Sequence, residues 1–337
     1  MWRNGRVTIN DVARTAGVSV ATVSKVINGR YGVAQATSER VQEVIESLGY
    51  ESSLVARSLR SHRTNVIGIL VAEFEPFSTE ILKGVSTAIA GTGYDLLAYS
   101  GTAATHAEVG WERRSLSRLS GTLIDGAILV TPTVVEVRDG VPVVAIDPHA
   151  GPSDIPTVDS DNLGGAVTAT EHLLALGHRR IAFLGGRPDL ESSRLREEGF
   201  RTAMERAGVP VDPALVRVGG YRREEADRPA HELLELPDRP TAVFAANDLM
   251  AIATLEAAAD LGITVPDELS VVGFDDIPEA AATTPPLTTV AQPIQRMGSE
   301  AIGVLVELMA GREVATPHLR LPTRLVRRGT CAAAPSR

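Results

Sequence analysis

The sequence predicts an α/β protein with a small all-α head at its N-terminus, and three observations carry that expectation. The first sixty or so residues hold short amphipathic helical stretches. From Asn65 onward the pattern changes to short apolar runs alternating with helical segments, the signature of parallel sheets with crossover helices. Charge divides at the same place: residues 1–64 carry nine Arg/Lys and five Asp/Glu, or +4, which leaves −13 of the total −9 for the rest. A basic head on an acidic body points to a polyanionic partner for the head alone.

At 337 residues the chain has room for two or three domains, and 44% apolar with 22% charged residues is ordinary for a folded chain. No apolar run reaches the roughly 18 residues of a membrane span, and Met1-Trp2-Arg3-Asn4-Gly5-Arg6 lacks the apolar stretch of a signal peptide. The expected location is the cytoplasm. One cysteine, Cys331, excludes an internal disulfide framework and a cysteine metal cluster, and the seven histidines show no paired metal spacing. No metal or cofactor is expected.

In the head, Thr8 followed by Asp11 resembles a capping box and starts a first helix near Ile9. Ile9, Val12, Ala13 and Ala16 share one face, and Gly17 suits the left-handed turn that ends the helix. Ser19 caps a second helix whose buried stripe is Val23, Val26 and Ile27, leaving Val20, Ala21, Ser24 and Lys25 outward. A third helix, Gln35 to Leu48, buries Val41, Val44, Ile45 and Leu48. Ala34 gives it no side-chain cap, so a frayed first turn is expected. Two helices joined at Ala16-Gly17-Val18-Ser19, with the basic segment Val55-Ala56-Arg57-Ser58-Leu59-Arg60 downstream, have the form of a helix-turn-helix and a hinge, which points to DNA binding.

In the body, the expected strands are Val66 to Val71, Asp95 to Tyr99, Ala127 to Val130, Val141 to Ile146, Ile181 to Leu184, Val243 to Ala246 and Ser270 to Phe274. Ligands of open α/β sheets sit at the carboxyl ends of strands. Those ends carry Asp147, Asn247-Asp248 and Asp275-Asp276. Helix capping is the competing role for Asn247 and the Asp275-Asp276 pair, as lobe packing is for Tyr221 and an ion pair with Glu191 or Glu197 for Arg196. No Gly-x-Ser-x-Gly elbow, Walker-type loop or dinucleotide glycine pattern follows a strand, so no catalytic residue is assigned and the protein is not expected to be an enzyme. His172 and His178 are expected to be structural.

Thr8 to Gly29, TINDVARTAGVSVATVSKVING, resembles the helix-turn-helix of the LacI/GalR family of bacterial transcription regulators, and the resemblance continues through Leu48-Gly49-Tyr50 and Ala56-Arg57-Ser58-Leu59-Arg60 into the body. It implies a head over 1–52, a hinge helix over 53–64 and a body over 65–337. That body would be periplasmic-binding-protein-like, with two doubly wound α/β lobes, one of about 65–162 and 294–322, the other of about 163–293 and 323–337. By the same resemblance Val20, Ala21 and Lys25 read base edges, and Thr8, Ser19, Ser24 and Asn28 contact phosphates. Ala56, Arg57, Leu59 and Arg60 form a minor-groove hinge with Leu59 as the wedge.

The implied effector site comprises Phe77, Ser78, Asp147, Asp161, Arg196, Tyr221, Asn247 and Asp275. Carboxylates, an amide, a guanidinium and aromatic faces suit a polyhydroxylated ring. The implied protein is a homodimeric regulator, a repressor of carbohydrate-related genes, that binds a near-palindromic operator under control of a small molecule, a sugar. A purine or other metabolite acting as corepressor is the alternative, and a ligand-binding protein or enzyme without a DNA role is more remote. The chain departs from the family pattern at Ser52-Ser53, where Pro-Asn is common, at Ala34 for serine, at Glu75 for asparagine, at Ser78 for phenylalanine and at Pro148 for arginine. No heptad follows Val326, so no tetramerising coiled coil is expected.

Overall fold

The computed structural model describes residues 7–27, 31–50, 63–101, 109–134, 140–151 and 154–335. It divides into a small unit built on Met1–Thr64 and a large unit built on Asn65–Ser120 and Ile124–Arg337. Asn28, Ser52-Ser53, Ala56, Arg57, Leu59 and Arg60 lie outside the described residues.

The head holds α1 (Ile9–Ala16), α2 (Val20–Ile27) and α3 (Gln35–Leu48). The Asp11 carboxylate caps α1 by accepting from the Thr8 backbone N–H at 3.0 Å and the Thr8 hydroxyl at 2.6 Å, while Gly17 ends it at φ 65°. The Ser19 hydroxyl accepts the Thr22 N–H at 3.1 Å at the start of α2. Val12, Val23 and Val41 are fully buried at the centre, with Ile9, Val26, Ile27, Val44, Ile45 and Leu48 around them. α3 starts without a side-chain cap at Ala34.

The body contains two six-stranded sheets. The first comprises β1 (Val66–Val71), β2 (Asp95–Ser100), β3 (Gly126–Val130), β4 (Val143–Ile146), β5 (Thr157–Ser160) and β11 (His318–Leu321), in the order β11-β5-β4-β3-β1-β2. The second comprises β6 (Ile181–Gly185), β7 (Val216–Val218), β8 (Ala242–Ala245), β9 (Ser270–Asp275), β10 (Thr288–Ala291) and β12 (Arg324–Val326), in the order β12-β10-β9-β8-β6-β7. All pairings are parallel except β10 with β12. Covering both faces of such sheets favours apolar interior strands, and β1, β3, β4, β6 and β8 are free of polar side chains and buried at every residue. β4 begins at Val143, two residues after the expected start, because Pro142 has no N–H to give to the ladder.

The connecting helices are α4 (Pro76–Ala88) and α5 (Trp111–Leu119) in the first lobe, then α6 (Asn162–Ala175), α7 (Glu191–Arg206), α8 (Arg223–Leu234), α9 (Asp248–Asp260) and α10 (Pro278–Ala282) in the second. α11 (Ile294–Met309) returns to the first lobe and packs on α4 through glycines: a Cβ on Gly84 would overlap the Gln295 carbonyl, and one on Gly298 the Ile81 carbonyl. The chain passes between sheets three times, after β5, after β10 and after β11. The crossings are bonded together: the Ser160 hydroxyl donates to the Gln292 amide oxygen, and the Asp161 N–H to the Leu321 carbonyl at 2.9 Å. No helix among the described residues is long and apolar enough to cross a membrane.

Candidate functional site

Strand ends of both sheets face one cleft, as the geometry of parallel sheets requires. Thr131 follows β3, Asp147 follows β4, Asn247 lies two residues beyond β8 and Asp275 ends β9, and all four line the cleft. Six non-glycine residues among those described have positive φ, and four of them are in this lining: Thr131 at 46°, Asp147 at 48°, Tyr221 at 74° and Asp275 at 120°. Such strain persists where the surrounding structure holds a side chain in a required direction.

Arg196 organises the cleft floor. It projects from α7, is 3% exposed, and donates from Nε to Asn162 Oδ1 at 2.8 Å and from Nη1 to the Ala246 carbonyl at 2.5 Å. Its guanidinium carbon lies 3.9 Å from the centre of the Phe274 ring and 5.6 Å from that of Tyr221, so aromatic faces flank the charge. Nη1 is 3.4 Å from Asp275 Oδ1, whose carboxylate also accepts from Gln292 Nε2 at 2.6 Å. Glu191 and Glu197 are taken instead by Arg194 and Arg201, at 2.5 Å and 2.8 Å.

Asn247 lines the cleft and caps the helix that follows it. Its Oδ1 caps α9 by accepting the Met250 N–H at 3.0 Å, while Nδ2 holds the Tyr221 carbonyl at 2.9 Å. Phe77 and Ser78 enter the cleft from the first turn of α4. Asp161 stands apart from the expected set: it is not in the lining, and its Oδ1 accepts the Gly164 N–H at 2.9 Å as the cap of α6. A carboxylate just ahead of a helix is committed to the first-turn N–H groups. Asp276 pairs with Arg328 at 2.6 Å, and the buried Asp248 carboxylate accepts the Thr289 hydroxyl and the Ile277 N–H. His178 is buried between the Thr241 and Ser270 hydroxyls, at 2.9 Å and 3.0 Å, away from the cleft.

The lining also holds Glu73, Glu75, Trp111, His149, Ser192 and Arg222, which were not in the expected site. Ser192 had a legible signal, since it lies one turn before Arg196 on the same face of α7. The Tyr221 hydroxyl is buried and, among the described residues, meets no partner in good hydrogen-bonding geometry although Ser192 lies near enough to influence it, a polar group of the sort a ligand completes.

The electrostatics are those of crowded, desolvated carboxyls. Burial pushes Glu75 up to about 7, with Asp275 and Glu73 adding to the shift and Arg222 opposing it. Asp275 is raised to about 6 by burial, against the pull of Arg196 and Gln292, and burial also raises Asp147. His149 is lowered to about 4, by burial and by Arg187. The space open to the centre of a water-sized sphere is about 130 Å³. This is on the scale of the roughly 150 Å³ cavity that holds a single six-membered ring.

In the head, Val20, Ala21 and Lys25 are exposed along one side of α2, Thr8 and Ser19 are exposed, and Ser24 is half-buried. These side chains leave the core free to close behind a presented helix.

A helix-turn-helix unit followed by a two-lobed α/β body with a polar cleft defines a ligand-binding transcription regulator. Residues 8–53 match the model for bacterial regulatory proteins of the lacI family, and residues 170–331 match that for the periplasmic binding protein-like domain. The ribose operon repressor of Escherichia coli (strain K12) is 36% identical over 333 residues, covering 96% of this chain and 99% of the relative. The lac repressor dimer bound to operator and the anti-inducer ONPF aligns with TM-score 0.81 at 27% identity, over 98% of this chain and 100% of that one. The transcriptional regulator CelR–cellobiose complex aligns with TM-score 0.70 at 34% identity, over 96% and 100%. The chain belongs to the lacI family of bacterial regulatory proteins; it is a DNA-binding regulator and not an enzyme.

Proposed function

We propose that this protein is a cytoplasmic, dimeric repressor of carbohydrate-related genes whose operator affinity is set by a one-ring sugar in the interlobe cleft. The observation that carries the sugar reading is the lining: buried Arg196, the carboxyls of Glu75, Asp147 and Asp275, and the aromatic Phe77, Trp111 and Tyr221 around a space of about 130 Å³. Hydroxyls take paired donors and acceptors, and a sugar face takes an apolar platform. The Escherichia coli relative is named for the ribose operon, and a pentose has a single ring.

The switch follows from the floor of the cleft. Asp275 is bonded to Gln292, and Gln292 to Ser160, so a ligand that engages Asp275 acts on two of the three crossings between lobes. Shifting the lobes changes the spacing of the hinge segments of a dimer, so that ligand and operator are coupled through one free energy. In the head, Val20, Ala21 and Lys25 read bases, Thr8, Ser19, Ser24 and Asn28 hold phosphates, and Ala56, Arg57, Leu59 and Arg60 form the minor-groove hinge.

Thermal-shift measurement of the purified protein against pentoses, hexoses, disaccharides and purines tests the proposal, because a ligand of the folded state raises its stability. A one-ring sugar should raise Tm and alter operator affinity in gel-shift titration. Stabilisation by a purine alone would replace the sugar reading, and unchanged operator affinity in Leu59→Ala would remove the wedge role.

A further inference from the structure

The inner cavity meets a larger outer chamber at side chains that belong to both lobes. On the same measure of space as the inner 130 Å³, the outer chamber offers about 760 Å³. Glu73, His149, Arg187 and Arg222 are among the residues that line both spaces and so lie where the two meet. Among the described residues, contacts on two sides hold these residues across the cleft, Arg194 Nη2 and Asp189 Oδ2 of the second lobe also lying 3.4 Å from the His149 carbonyl and 3.5 Å from His149 Nδ1, respectively. Arg222, beyond β7 of the second lobe, donates from Nη2 to Glu73 Oε1, beyond β1 of the first, at 2.5 Å. On the other side the Glu191 N–H of the second lobe donates to the His149 carbonyl of the first at 2.9 Å.

The bridges differ in kind. The Glu191–His149 bond is between backbones and is independent of side-chain identity. The Glu73–Arg222 pair consists only of side chains, 41% and 53% exposed, so it can open to admit a ligand and reclose. A two-ring sugar is about twice the size of the single ring on whose scale the inner space lies. Its second ring would have to occupy the position of this pair and extend into the outer chamber.

We propose that the Glu73–Arg222 ion pair is a length filter, a specificity determinant that closes the inner cavity behind a single ring and disfavours ligands that carry a second one. The proposal rests on the reading of the cleft as a sugar site. It is separate from the residues that grip the ring, because neither partner of the pair bonds to Arg196, Asn247 or Asp275.

The test compares the full-length wild type with Arg222→Ala, Glu73→Ala and the charge swap Glu73→Arg/Arg222→Glu, by titration calorimetry with matched pairs: D-xylose and xylobiose, D-glucose and cellobiose, D-ribose and adenosine. Cooperative thermal unfolding serves as the folding control. The wild type should bind the one-ring member of its preferred pair more tightly than the extended one. Each single variant should move that ratio toward the extended member by about fivefold, the factor to which roughly 1 kcal/mol for an exposed ion pair converts. The swap should restore it. Equal wild-type affinity for both members, or a ratio that the single variants leave unchanged, overturns the filter while leaving the sugar site standing. If no member of either length binds, the sugar reading falls and the filter with it.

Discussion

The Arg196 Nε donates to Asn162 Oδ1 at 2.8 Å, so the cationic group of the cleft is fixed to the first turn of the helix that opens the second lobe. Arg196→Ala would leave the Asn162 oxygen, the Ala246 carbonyl and the Asp275 carboxylate without this donor. Breaking one side of a buried charged network costs about 3–5 kcal/mol. Urea unfolding should therefore show Arg196→Ala destabilised by about that amount, and calorimetry should show sugar binding lost. Near-wild-type unfolding together with intact sugar affinity would remove Arg196 from both roles. Arg196→Lys keeps the charge without the planar fork and should remain deficient in binding.

The raised carboxyls give the cleft a pH signature of definite sign. Glu75 titrates near 7 in the folded protein against 4.5 for the free side chain. Its contribution to stability is full below about 4.5 and is lost as pH rises through 7, because the unfolded chain ionises freely and the half-buried, carboxylate-crowded site does not. His149, lowered to about 4, acts in the opposite sense, losing its contribution as pH falls from 6.5 toward 4, so the total pH dependence is a sum. The difference between wild type and Glu75→Gln isolates one group. The variant should gain about 1–3 kcal/mol on the wild type between pH 5 and pH 8. A difference that stays flat across that range would place Glu75 in a solvated position.

How much of this was legible in the sequence depends on how local each signal is. β1 could be read because Val66 to Val71 is an unbroken apolar run, whereas β5, Thr157–Ser160, is short and mostly polar and draws its strand character from β4 and β11 beside it. β7, β10, β11 and β12 escaped for similar reasons, as three- or four-residue strands, three of them at sheet edges. In the site, Asp147, Asn247 and Asp275 were legible because each ends or follows an apolar strand. Asp161 caps α6 outside the cleft lining, a placement the sequence leaves open because a carboxylate at a helix start reads alike as cap and as ligand. Trp111 and Arg222 carried no local signal, because whether they reach the cleft depends on how the lobes close.

Gly84 and Gly303 offer a matched test of the helix pair that supports the cleft. α4 brings Phe77 and Ser78 to the cleft and is positioned by close contact with α11. Gly84→Ala would force the Gln295 carbonyl away and should cost about 1–3 kcal/mol as overpacking. Gly303, on α11, has open space where a Cβ would stand, so Gly303→Ala should be neutral or stabilising by up to about 1 kcal/mol through helix propensity. Denaturant titrations of the two variants should move in opposite directions or differ by at least about 1 kcal/mol. Equal midpoints would mean that α4 and α11 can separate without loss.

Lys25 and Ser19 should fail differently on DNA, and the difference distinguishes base reading from placement. Lys25 is exposed on α2, beyond the first-turn residues Val20 and Ala21, and its ammonium can donate to guanine O6 or N7. Losing a base contact weakens binding by about 1–3 kcal/mol and relaxes preference at the contacted position. Ser19 is a phosphate candidate that also caps α2 through the Thr22 N–H. Ser19→Ala should lower head stability by about 1 kcal/mol and weaken binding to all sequences alike. Operators selected from a random duplex library with wild type, Lys25→Ala and Ser19→Ala give the comparison. Lys25→Ala should degrade the selected sequence at one position in each half-site, while Ser19→Ala should return the wild-type sequence at reduced affinity. An unaltered selected sequence for Lys25→Ala, with a salt dependence of binding lowered by about one phosphate contact, would move Lys25 from base reader to backbone contact.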